Sequence, residues 1–153
     1  MKRPLDNYFE QAKWWVVAII CVGAVRIVLT TFGLPNQQVR FASMTAVMAA
    51  GAVYLSIWCS RHGWSYWDLF IFSYFITVPY MAVEVVGLSL AGLSGRPNIF
   101  HAPEYSLGTP LWIHLVGHIV GGVTWEPWMI WLICCVLFWL SAKIHGSPAA
   151  AGL

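Results

Sequence analysis

An all-α bundle of membrane-spanning helices is the fold this sequence predicts, and three observations predict it. The chain of 153 residues is 59% apolar and 9% charged, whereas a soluble domain carries about a quarter charged residues. Its apolar residues gather into runs close to the roughly 20 residues a helix needs to cross a bilayer. Tryptophans Trp14, Trp15, Trp58, Trp64, Trp67, Trp112, Trp125 and Trp128 fall near the ends of those runs, where an aromatic belt sits at the membrane–water interface. The length suits a single domain.

Taken in order, residues 1–13 are polar and read as an N-terminal interfacial segment, with Leu5, Phe9 and Ala12 on one side. Asp6 and Glu10 follow Lys2 and Arg3, and the run starting at Trp14 is long and lacks a small-x-small cleavage site. The segment therefore reads as a retained first helix and not as a signal peptide. A transmembrane domain follows over 14–144. Its first span is Trp14–Gly33, its second Phe41–Cys59 and its third Trp67–Leu93, with a last clear one at Pro127–Ile144. Short loops, Leu34–Arg40 and Ser60–Tyr66, join the first three. The long connection Ser94–Thr109 is rich in proline and aromatic residues, too varied for a flexible linker, and reads as an ordered loop at the membrane face. Residues 145–153 form a small-residue tail expected to be flexible.

Pro110–Val123 is apolar and opens on a proline suited to a helix start, but it is short for a crossing. We read it as a membrane-embedded or re-entrant half-helix beside four full crossings. The alternatives are a full fifth crossing, or the upper part of one long kinked helix. With four crossings, Lys2, Arg3, Lys13, Arg61 and Lys143 share one side, against Arg40 and Arg96 on the other. The positive-inside rule then places the N-terminus in the cytoplasm, in a bacterial inner membrane or another plasma membrane.

Several function classes lack support. No basic run suggests nucleic acid as a partner. The four cysteines, Cys21, Cys59, Cys134 and Cys135, show neither CxxC nor framework spacing and read as small apolar packing residues. No nucleophile elbow, P-loop or dinucleotide fingerprint is present. Size and tryptophan content resemble the tryptophan-rich sensory protein family of five-helix proteins in composition alone. That family's proline-and-tryptophan motif after the first helix and its W-x-x-L-F-F type segment are absent, and no residue carries over.

The residue with most to say about function is Glu84, deep in the third span. A carboxylate there costs about 2.5 kcal/mol or more unless it finds a partner, a proton or water. Ser73, Thr77, Tyr80, Glu84 and Gly87 recur at spacings of four, three, four and three, which places them on one helical face. Such a stripe faces a bundle interior or a cavity, or glues helices together. In the second span, Ala42, Ala46, Ala49, Ala50 and Gly51 leave a smooth packing face flanked by Met44 and Met48. His114 and His118 are four apart and share a helical face. Helical rise puts Arg26 about 10 Å, Glu84 about 13 Å and His118 about 12 Å below the outer ends of their segments, one shared level for an expected Arg/Glu/His cluster.

The reading is a buried polar pocket near the outer face, covered by the long loop. Glu84 and His118 form its candidate catalytic acid/base pair, and Arg26, Tyr80, His114 and Tyr105 its ligand-binding groups. His101, Glu104, His114 and His118 are a candidate set of metal ligands, whose nitrogen and oxygen donors suit a transition metal. A haem held by two histidines fits less well, because the first three apolar spans contain no histidine. The pocket's expected occupant is a lipid-like molecule, a quinone or a metal. Two rival readings are a non-catalytic subunit of a larger membrane complex and a small transporter acting as an oligomer. The expected partners are the lipid bilayer and other membrane subunits or further copies of the chain.

Overall fold

The structure, a computed structural model, describes residues 3–96, 98–101 and 109–145. Six α-helices follow one another: α1 (Leu5–Thr31), α2 (Asn36–Val39), α3 (Met44–Arg61), α4 (Tyr66–Ser94), α5 (Leu111–Val123) and α6 (Trp125–His145), with a 3-10 turn at Ile99–His101 before α5. Among the described residues there is no strand. Four stretches are long and apolar enough to cross a membrane: Leu5–Thr31, Asn36–Arg61, Tyr66–Ser94 and Leu111–His145. The chain is a four-crossing, all-α bundle built for a bilayer.

Helix ends follow local chemistry. The Ser43 side chain accepts from the Ala46 amide (3.2 Å) and starts α3. Ser65 and Asp68 form a reciprocal capping box at the head of α4, satisfying amides that have no partner within the helix. At the other end of α4, Gly95 adopts φ +66°, a left-handed conformation that glycine takes without steric cost. Residues 5–13 are helical and continuous with the rest of α1.

The path of Pro110–Val123 is set by its contacts along α4. Leu111 lies against Gly92, His118 against Glu84 and Gly122 against Met81. Tyr74 donates its hydroxyl to the Val123 carbonyl (3.2 Å). Further down, Trp131 donates to the Tyr66 carbonyl (2.7 Å). The contacts descend α4 without turning back, so α5 is the first half of the fourth crossing and α6 its second half. It is a short embedded helix but not a re-entrant one, and the long kinked helix is the alternative that matches. The break falls at Thr124, whose hydroxyl donates to the Val120 carbonyl (2.6 Å) ahead of Pro127, which has no amide to donate.

Two buried clusters hold the bundle. One joins Tyr8, Ala12 and Ile19 of α1 with Leu55, Leu69, Phe72 and Phe138 from the other crossings. At that end the Tyr8 hydroxyl also donates to Asp68. The second cluster, at the far end of α4, joins Ile27, Met44, Val83 and Leu88 with Ile99 and Phe100 of the long connection. There Asn98 donates to the Gly87 carbonyl (2.6 Å) and accepts from the Phe100 amide (3.1 Å). The first residues of that connection are thus docked on α1 and α4. Cys59 and Cys134 are buried and all four cysteines are free thiols.

Candidate functional site

Glu84 is 6% exposed, held at mid-length on α4 by the polar stripe around it. Ser73 and Thr77 in that stripe return their hydroxyls to the helix's own carbonyls (2.7 and 2.8 Å). They are satisfied locally and add nothing to the site. Tyr80, one turn before Glu84, shares a hydrogen bond with the Thr45 hydroxyl of α3 (3.3 Å).

Glu84 meets α5 through His118. Oε2 of Glu84 lies 2.7 Å from Nδ1 of His118. The contact has the distance of an ion pair but not the alignment of a hydrogen bond, and this buried oxygen has no hydrogen-bond donor among the described residues. On its other side, His118 Nε2 lies 2.9 Å from Nε2 of His114. Two ring nitrogens in such contact share one proton. Glu84, His118 and His114 therefore form a continuous polar chain along the α4–α5 seam.

The third member of the cluster is Glu126, in the first turn of α6. One ligand atom each from Glu84, His118 and Glu126 lie within 4.8 Å of one another. Two carboxylates so close repel unless a proton or a cation sits between them. The ion pairs of the described residues are Lys13–Glu10 and His118–Glu84, so neither lysine nor arginine neutralises the pair. Beside Glu126 opens a cavity of about 270 Å³, lined by Met48, Tyr80, Trp125, Glu126, Met129 and Ile130.

The expected Arg26–Glu84–His118 cluster is divided. Arg26 donates from Nη2 to Asn36 Oδ1 (3.1 Å) at the start of α2, and among the described residues it makes no ion pair with Glu84. Its depth matched that of Glu84, but depth does not fix the direction a side chain takes around the helix. Glu84, His118 and His114 are brought together; Tyr80 borders the adjoining cavity. Glu104, Tyr105 and the His101 side chain lie outside the described residues. Within those residues, the group with metal-ligand spacing is Glu84–His118–Glu126.

Sequence reasoning missed Glu126, because a carboxylate in the first turn of a helix is explained by the helix dipole alone. The missing signal was a spacing across the break. His114, His118, Gly122 and Glu126 recur every four residues, but only when α5 and α6 are read as one helix.

No family model, curated protein or solved structure matches this chain.

Proposed function

We propose that this membrane protein binds a divalent first-row transition metal within the bundle, through Glu84, His118 and Glu126. One observation carries the reading. Two carboxylates and an imidazole from three different helices lie within 4.8 Å, and among the described residues no lysine or arginine pairs with them. Donors around a tetrahedral metal, at about 2.0–2.2 Å from it, lie about 3.4 Å apart. Reaching that spacing would open the 2.7 Å Glu84–His118 contact by less than about 1 Å and close separations of up to 4.8 Å by about 1.4 Å.

The donor set, two oxygens and one nitrogen, suits Zn²⁺ or Mn²⁺. Three protein ligands leave a coordination position open, as in metal sites that bind or transform a substrate. His118 would ligate through Nδ1, with His114 on the other ring nitrogen fixing its tautomer and orientation. In this reading Glu84 and His118 act as ligands and not as an acid/base pair. The N-terminus lies in the cytoplasm, following the Lys/Arg bias.

The test is direct. Protein purified in detergent is stripped with EDTA and dialysed against Zn²⁺ or Mn²⁺, and bound metal is measured by mass spectrometry. The parent should retain about one ion per chain. Glu84→Gln and Glu126→Gln should each lose it, while Glu10→Gln, in an exposed pair with Lys13, should not. A parent that emerges empty, or a Glu126→Gln protein that loads like the parent, refutes the proposal.

A further inference from the structure

We infer that the cavity beside Glu126 binds a small organic ammonium ion, admitted sideways from the lipid. The inference rests on the reading above for the negative charge at Glu84 and Glu126, but it does not require that a metal be present. Three observations carry it.

The first is charge. Glu126 is shared between the cavity wall and the Glu84–His118–Glu126 cluster. Glu84 behind it is nine-tenths buried, and its ion-pair partner among the described residues is His118 (2.7 Å), one imidazole for two carboxylates. With no metal between the carboxylates, an occupant carrying positive charge would relieve their repulsion; a neutral occupant would leave it. The second is the wall. Tyr80 and Trp125 offer aromatic rings and Met48 and Met129 polarisable thioethers. Aromatic faces attract ammonium groups, most strongly where water is excluded, and methionine adapts to irregular shapes. Among the described residues, no lysine, arginine or histidine lines the cavity. The third is access. Trp125 is 67% and Met129 40% exposed, on a helix whose outward surface is apolar and faces lipid. The break at Thr124 immediately precedes Trp125. A volume of about 270 Å³ is at the small end for a ligand pocket, room for one ring bearing a quaternary nitrogen.

The probe is benzyltrimethylammonium, with neopentylbenzene as its uncharged isostere. Binding of radiolabelled probe to the full chain in detergent is followed by equilibrium dialysis in EDTA. Saturable binding is expected, weakened about tenfold or more in Glu126→Gln, with no competition from neopentylbenzene. Met48→Trp fills the cavity without changing a charge and should also abolish binding; circular dichroism confirms that each variant keeps its helices. Equal competition by the neutral isostere, or undiminished binding to Glu126→Gln or Met48→Trp, overturns the inference. Loss of metal binding with probe binding intact refutes the metal reading alone, and the reverse pattern refutes this inference alone.

Discussion

Replacing Gly122 by alanine tests how tightly the seam that carries the site is packed. A Cβ at that position would lie 2.4 Å from Cγ and 2.5 Å from Cβ of Met81. Carbon atoms pack at about 3.5–4.0 Å, and Met81 Cβ is fixed to the α4 backbone, so no rotamer change relieves the contact. The two helices must separate locally by about 1 Å. Overpacking of this kind costs about 1–3 kcal/mol. Exchanging glycine for alanine in a helix returns about 0.5–1 kcal/mol, leaving a net loss centred on about 1 kcal/mol and reaching about 2.5 kcal/mol at most. At about 2–4 °C per kcal/mol, Tm should fall by about 2–5 °C, and by no more than about 10 °C. Gly117 is the control, because a Cβ there meets nothing within 4 Å; Gly117→Ala should hold or raise Tm. Gly122 lies one turn from His118, and Met81 three residues before Glu84. The separation should therefore also weaken metal binding in Gly122→Ala. Thermal unfolding in detergent, followed by circular dichroism, decides the matter. A Gly122→Ala protein that melts at or above the parent, or moves together with Gly117→Ala, refutes the reasoning.

Three further outcomes are expected. Arg26→Met and Glu84→Gln should be additive in stability within about 0.5 kcal/mol, since Arg26 bonds Asn36; a coupling well above that would show an interaction between them. Asn98→Ala removes both the donor to Gly87 and the acceptor for Phe100 and should cost about 1–3 kcal/mol, read as faster amide exchange at Ile99 and Phe100 with α6 unchanged. In a cysteine-free background, a cysteine at Gly95 should be labelled from outside the cell and one at His62 should not; the opposite pattern reverses the orientation.

Composition and run length were enough to read the four crossings, because lipid imposes long apolar helices whatever their partners. The path of Pro110–Val123 was harder. Its length suited a half-helix, and Pro127, with Gly121, Gly122 and Thr124 just before it, suited the start of a new helix. Only the sequence of contacts from Gly92 down to Tyr66 along α4 distinguishes a kinked crossing from a re-entrant one. The fate of the site residues follows from the same geometry. Glu84 and Tyr80 were legible through their shared face on α4, and His114 and His118 through their spacing. Arg26 misled because helical rise gives depth, whereas Gly23 and Ile27 take the α4-facing side of α1 and turn Arg26 toward Asn36. Glu126 was hidden by a local explanation, its place in a first turn beside Pro127, although it continues the four-residue spacing of the histidines.

Anomalous diffraction from crystals of the full chain grown with Zn²⁺ would test the central claim most directly. The account predicts a single peak inside the bundle, about 2.0–2.2 Å from ligand atoms of Glu84, His118 and Glu126 together. A fully loaded crystal with no peak among these three residues, or with its intramembrane zinc held by other side chains, would contradict it.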